Sequence, residues 1–310
     1  MKGFFQEEDL AKDEFSDLRK FVETHFPNIA TKYVNLEEVI TYLDLSLEGT
    51  GRFGKKLDGY LCDTREQLNR YIEARLDYEQ WDDRLSCERL EEIFRSVTEA
   101  DSIITLNYDL VVENTLNVIQ TEKEKRETHH PLYGRMVNLI IDSVIPDIAV
   151  EREFLDFGFY LKLHGSIDWY HCPNRGCRNY GSIRVMSKSE RNPDNVCNYC
   201  GYRLQPLIVT PAINKAFHNY PRIGAMWTLA HRHMVTATHI VFFGVSFAPS
   251  DYLLRWLIKS ALMGSDCKKK SIKVVDKCPS VKRKIKEMVD IEPTYYPDTC
   301  TYISKEIESK

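Results

Sequence analysis

No stretch of this 310-residue chain holds about 18 consecutive apolar residues, which excludes a membrane-spanning helix of the usual kind. The opening residues, Met1-Lys-Gly-Phe-Phe-Gln-Glu-Glu, turn acidic before an apolar core can form. A secretory signal is therefore not expected, and a cytoplasmic location is. Internal repeats and low-complexity segments are missing. So is a strong charge of either sign: the net charge is −4, which argues neither for nor against a polyanionic partner.

What is present is an ordinary apolar fraction, 43%, in a chain long enough for one large domain or two small ones. Nine cysteines is an odd number, and in a reducing compartment they are not expected to form disulfides. Cys62, Cys87, Cys267, Cys278 and Cys300 stand alone and read as small buried hydrophobes or bystanders. Lys268, Lys269, Lys270, Lys273, Lys277, Lys282, Arg283, Lys284 and Lys286 crowd the C-terminal part and read as a solvated face.

The first hundred residues predict helices. Asn35 is placed to cap a helix with Glu38 three residues on, and Leu36, Val39, Ile40, Leu43 and Leu47 then share one face. Leu90, Ile93, Phe94 and Val97 repeat the pattern, and the charged stretch from Glu66 to Asp83 is compatible with helix. From residue 102 the texture changes. Short apolar runs at Ser102–Asn107, Phe159–His164, Leu207–Thr210, Ile240–Gly244 and Ile272–Asp276 predict strands. Helices are expected after Asp109, at Met136–Ile145, Arg222–Thr236 and Tyr252–Met263, and from Ser280, with a polar loop at Thr121–His130. The alternation implies an α/β fold with a mainly parallel sheet covered on both faces. The expected organisation is a helical region over 1–100, a sheet domain over 101–170 and 203–310, and a small inserted module over 171–202.

That module carries Cys172, Cys177, Cys197 and Cys200, spaced Cys-x4-Cys, then 19 residues, then Cys-x2-Cys. Two close pairs separated by a short loop suit tetrahedral thiolate coordination of zinc. The intervening segment is too polar to make a core, so a metal would supply its stability. Four thiolates leave no open position for water, which makes the zinc structural. A nucleic-acid-binding ribbon is the other reading of the same spacing. Nearby Trp169, Tyr170, Tyr180, Tyr199 and Tyr202 would pack the module against its neighbour, or stack on bases.

Three small motifs stand at expected strand ends: Thr105-Leu-Asn107-Tyr-Asp109, His164-Gly165-Ser166 and Gly244-Val-Ser246. Ligands of open α/β sheets bind at such ends. Each motif also has a structural reading. Asn107 and Asp109 could cap a helix, His164 could be a core histidine, and Gly244 and Ser246 could be turn residues.

Together with Leu161-Lys-Leu-His-Gly-Ser-Ile-Asp-Trp169, the cysteines, Phe242-Phe-Gly-Val-Ser246 and Asp276, these motifs resemble the sirtuin family, in particular its divergent bacterial sirtuin-like branch. The resemblance covers roughly residues 100 to 280. It implies a Rossmann-like NAD-binding domain carrying a small zinc ribbon. Asn107 would contact the nicotinamide ribose or orient the attacking group, and His164 would be the general base on a ribose hydroxyl or on water. Thr105, Asp109, Gly244, Ser246 and Asp276 would complete the cofactor contacts. Such chemistry passes through an oxocarbenium-like state, and a histidine titrating near neutrality suits it.

The branch includes hydrolases that deplete NAD in bacterial antiviral defence, so the resemblance implies NAD hydrolysis ahead of NAD-dependent protein deacylation. One feature departs from the family: the initial strand and Gly-Ala-Gly-x-Ser phosphate loop are missing. The expectation is either a longer natural chain, which would supply that loop and be an enzyme, or a non-catalytic relative that only binds NAD or ADP-ribose. A membrane partner is not expected, a nucleic-acid partner is not favoured, and a homo-oligomer is compatible with the sequence.

Overall fold

A computed structural model describes residues 4–53, 58–80, 87–98, 100–124, 159–186, 190, 195–209, 220–247, 251–263, 270–289 and 291–308. The chain divides into two compact units. One comprises Met1–Trp81 with His164–Asn219, the other Asp82–Leu163 with Tyr220–Lys310.

The first unit begins with helices α1 (Glu7–Leu10), α2 (Ser16–His25), α3 (Leu36–Phe53) and α4 (Asp58–Gln80). Asn35 does cap α3: its Oδ1 accepts the Glu37 backbone N–H at 3.1 Å. Leu36, Val39, Ile40 and Leu43 of the expected face are buried. The start of α2 is satisfied from another helix. Gln67 of α4 accepts the backbone N–H groups of Asp17 and Leu18, both at 2.9 Å, and donates to the Asp17 carboxylate at 3.0 Å. Two of the donors a helix start leaves without an intrahelical partner are thus closed by one buried side chain, which fixes α2 against α4. Tyr71 of α4 adds the aromatic core, with Phe5 stacked at 5.4 Å and Phe15 edge-on at 5.2 Å.

The same unit contains strands β3 (Gly165–His171), β4 (Ile183–Val185) and β5 (Gln205–Ile208), in the order β4-β3-β5 with both pairings antiparallel. All seven residues of β3 are buried. Gly165 has φ +79°, and a Cβ there would lie 2.0 Å from the carbonyl oxygen of Leu207. Only glycine allows β5 to approach this closely.

In the second unit β1 (Ser102–Thr105) pairs in parallel with β2 (Phe159–Lys162), and the turn into α6 (Val111–Glu124) follows β1. Strands β6 (His239–Phe243), β7 (Ser271–Val275) and β8 (Thr294–Tyr296) form a second parallel ladder. Helices α5 (Glu88–Phe94), α7 (Pro221–Thr236), α8 (Tyr252–Leu262), α9 (Ser280–Met288) and α10 (Thr299–Glu306) complete it. Ile93, Val275, Tyr296, Tyr302 and Ile303 share one core cluster, with Phe243 packed on it. Trp227 of α7 donates its indole N–H to the Leu163 carbonyl at 2.8 Å, at the end of β2.

The fold class is therefore α/β, with parallel strands alternating with helices as the sequence predicts. Several local expectations change. The strand from Phe159 ends at Lys162, and Gly165 opens a new strand instead of closing a turn, because its left-handed φ redirects the chain. Of the run Leu207–Thr210, Leu207 and Ile208 end β5, which pairs antiparallel with β3 in the cysteine-bearing unit and joins no parallel ladder among the described residues, while Thr210 lies outside them. Helix α6 continues to Glu124, into the stretch expected to be loop. Val97 lies beyond the end of α5. The final strand β8 and helix α10 carry no motif and were not anticipated. The expected helix at Met136–Ile145 lies outside the described residues.

Replacing Gly165 with alanine should destabilise the protein by about 2–4 kcal/mol, from strained φ and overpacking against β5. Gly59→Ala, where a Cβ meets nothing within 4 Å, should be neutral or better. Urea denaturation of both variants checks the contrast.

Candidate functional site

The clearest cluster is that of the four cysteines. Cys172 follows β3 directly, and its Sγ lies 3.5 Å from that of Cys200, while Cys177 and Cys197 are 3.6 Å apart. All four sulfurs lie within 4.8 Å of one another. Tetrahedral zinc with metal–sulfur bonds of about 2.3 Å needs sulfur–sulfur edges of about 3.8 Å, so the set fits that ion.

The turns that present the sulfurs are built for the purpose. Asn174 Oδ1 accepts the Gly176 N–H at 3.0 Å and its carbonyl accepts the Cys177 N–H at 2.9 Å. The Cys197 carbonyl accepts the Gly201 N–H at 2.9 Å, with Gly201 at φ +68°. The Asn179 backbone N–H points at Cys177 Sγ at 3.3 Å, the kind of donor that stabilises a thiolate. The backbone N–H of Tyr199 draws the Cys197 thiol down to about 6, and burial pushes Cys172 up to about 12. Beside them, burial lowers His171 to about 4, so that ring is neutral in the fold.

The module is tied to α4 of its own unit. The Tyr170 hydroxyl donates to Glu73, and Arg203 reaches Glu66 at 3.1 Å. Of the aromatics near the cysteines, Trp169 and Tyr170 are buried as packing would require, but Tyr199 and Tyr202 are 62% and 58% exposed.

The other sequence-derived residues fall at strand ends of the second unit, except one. Thr105 closes β1, and its hydroxyl accepts the Asn107 N–H at 3.1 Å, leaving the Asn107 side chain exposed. Asp109 Oδ1 accepts the Val111 N–H at 3.1 Å, so this carboxylate closes the turn into α6. Gly244 and Asp276 stand side by side, because β6 and β7 pair in register up to Phe243 and Val275. Gly244 has φ +59° and donates its N–H to the Val275 carbonyl at 3.0 Å. The exposed Ser246 offers its carbonyl to Lys284 Nζ at 2.6 Å, and Asp276 Oδ1 accepts the Cys278 N–H at 2.7 Å. Phe247, buried against Phe242, holds φ +48°, a region that a bulky residue rarely enters. His164 belongs to the first unit, where it is buried and its carbonyl accepts the Val209 N–H at 2.8 Å.

Two residues the motifs did not single out anchor the β1–α6 turn. Lys162 Nζ contacts Glu113 Oε1 at 2.6 Å, both side chains being 1% exposed, and also donates to the Asp109 carbonyl at 2.5 Å. The available signal was a lysine inside the apolar run Phe159-Tyr-Leu-Lys-Leu163. A charge in such a place needs a buried partner.

The C-terminal lysines are mostly engaged locally. Lys282 and Lys286 share Glu292, at 2.8 and 2.5 Å, and hold its carboxyl down at about 2. Lys273 pairs with Glu306 at 2.5 Å, and Lys270 donates to the carbonyls ending α7. Lys268 and Lys269 lie outside the described residues, as does Cys267. Cys62, Cys278 and Cys300 are exposed and Cys87 is half-buried, so these are bystanders and not core hydrophobes. Among the described residues no helix is long and apolar enough to cross a membrane.

No family model matches the chain, and a search of curated proteins finds no match either. Among solved structures, the chain is similar to one described as giving the structural basis for sirtuin substrate affinity. The identity is 14% and the TM-score 0.42, over 78% of this chain and 79% of that one. It is also similar to one described as Sir2 with a p53 peptide and NAD+, with 13% identity and a TM-score of 0.35, over 74% of this chain and 84% of that one. Likeness at this distance assigns no residue and no ligand to the chain.

Two outcomes are expected here. Purified protein should carry about one zinc per chain by elemental mass spectrometry, and Cys197→Ser should abolish it; equal zinc in the variant would refute the site. Lys162→Met or Glu113→Gln should each lower stability by about 3–5 kcal/mol in urea, while Lys162→Met with Glu113→Leu should recover most of that loss.

Proposed function

We propose that the chain binds NAD at the carboxyl ends of the parallel strands of its second unit and cleaves the nicotinamide–ribose bond, with water as acceptor. The observation that carries this reading is the placement of the motifs. Thr105 ends one parallel strand with Asn107 just beyond it, and Gly244-Val-Ser246 and Asp276 directly follow two others, where α/β sheets present ligands. Their likeness to the sirtuin motifs supports it.

In this reading the exposed Asn107 amide orients the attacking water beside the nicotinamide ribose, on a turn held by the Thr105 hydroxyl and by Lys162. Gly244, which lacks a side chain and stands beside Asp276, lets backbone approach the phosphate or ribose region, and Asp276 lies by the adenosine. The C–N bond breaks with its electrons passing to the nicotinamide ring, which leaves neutral. Positive charge gathers on the ribose, and water completes ADP-ribose as it gives up a proton. That proton passes to a general base, the role that the sirtuin resemblance gives to His164. Zinc, held by four thiolates, is structural. The same reading assigns the protein to bacterial antiviral defence through NAD depletion.

One observation favours a second reading, NAD or ADP-ribose binding without turnover: His164 is only 3% exposed. A buried ring makes a poor proton acceptor. The test separates the two. Zinc-loaded protein is incubated with NAD, and nicotinamide and ADP-ribose are followed by liquid chromatography. The hydrolase reading expects both products in equal amounts, lost at least about 100-fold in Asn107→Ala and His164→Ala with zinc content unchanged. Ligand binding with no nicotinamide release selects the second reading, and neither binding nor release refutes both.

A further inference from the structure

The NAD reading leaves the outer face of the cysteine module without a role. Tyr199 and Tyr202 stand on either side of Cys200 in the chain and are 62% and 58% exposed, and Val196 is 47% exposed. Tyrosines at this exposure bring nothing to the core of the module, whose own packing is done by Trp169, Met186 and Leu207. The guanidinium of Arg178 lies over the Tyr199 ring at 6.0 Å, so a cation and an aromatic face are presented together. Arg175 and Arg184 are exposed as well. Arg203 differs from these, because it is engaged by Glu66.

A cleft of about 140 Å³ lies at the cysteines, with Cys172 and Cys197 in its wall. Its lining includes Asn179, Asn198 and His171, with Arg184 and Val196 also contributing. The amides of the two asparagines can both donate and accept hydrogen bonds.

We propose that this face binds single-stranded nucleic acid. Exposed aromatic rings, one of them under an arginine, in a module that exposes further arginines suit a chain of flat bases and phosphates: the rings stack on bases and the guanidiniums neutralise phosphates. A duplex hides its base faces and would leave the tyrosines unused. An acidic protein surface would satisfy the arginines but not the rings. The C-terminal lysines belong to the other unit, where carboxylates and carbonyls hold most of the described ones. The tyrosines make the difference, because the sequence pattern allows them to be packing residues and the structure leaves them in solvent.

The test uses the full-length, zinc-loaded chain and fluorescein-labelled single strands of about 16 nucleotides, DNA and RNA in separate arms, read by anisotropy across a salt series. Matched duplexes and an oligo-glutamate peptide of equal charge serve as competitors. Binding should favour single strands. Tyr199→Ala with Tyr202→Ala should weaken it at least about tenfold, and Tyr199→Phe with Tyr202→Phe should retain it. Replacing Arg178 and Arg184 with glutamine should lower the slope of log affinity against log salt by about 0.7 for each arginine removed. Zinc content and melting temperature should not change in any of these surface variants. The proposal is overturned if neither single strand binds, if the double alanine variant binds as well as the parent, or if the duplex or the acidic peptide competes equally at matched charge. NAD turnover is not read in this experiment, so its outcome is independent of the hydrolase reading.

Discussion

A buried lysine and a buried glutamate hold together the part of the molecule on which the functional reading depends. Lys162 ends β2, Glu113 lies in the first turn of α6, and both are sealed from solvent. Taking two charges out of water is costly, and their attraction offsets it only when the geometry is good and the remaining hydrogen-bonding capacity is used. Here the ammonium also meets the Asp109 carbonyl, so three chain segments converge on one cation: β2, the β1–α6 turn and α6. The turn that carries Asn107 is therefore held both by its own Thr105 and Asp109 and by a cation from another strand. An apolar pair of equal volume could provide similar stability, but it would not fix the Asp109 carbonyl, and with it the path of the turn.

The first unit rests on a different device. Its β3 is buried along its whole length, yet the segment between the cysteine pairs is too polar to enclose it. Four sulfurs held by backbone turns would let one ion close that end of the unit, while Gln67 and Tyr71 close the helical end. The helical end of the unit has its own apolar core, so the metal is needed only at the polar cysteine-bearing end.

The cysteine cluster was legible because metal ligation requires fixed spacing, and fixed spacing survives in sequence. The α3 face and its Asn35 cap were legible because a 3.6-residue period and a capping residue are local signals. Strands β1, β6 and β7 could be read from their apolar runs. What could not be read depended on long-range partners. The partner of Lys162 lies 49 residues away, and nothing near the lysine announces it. Gly165 looked like a turn glycine, yet its requirement comes from the Leu207 carbonyl on another strand. Leu207–Thr210 looked like one more parallel strand, because an apolar run carries no record of its pairing direction. The exposure of Tyr199 and Tyr202 was equally hidden, since aromatic residues beside a metal knuckle pack or project according to tertiary context.

The central claim is that the strand ends of the second unit form a dinucleotide site. It is tested most directly by calorimetric titration of NAD into the zinc-loaded full-length chain. The account predicts saturable binding to one site per chain, weakened by Asn107→Ala and indifferent to Tyr199→Ala. Heats no larger than dilution at millimolar NAD would contradict it.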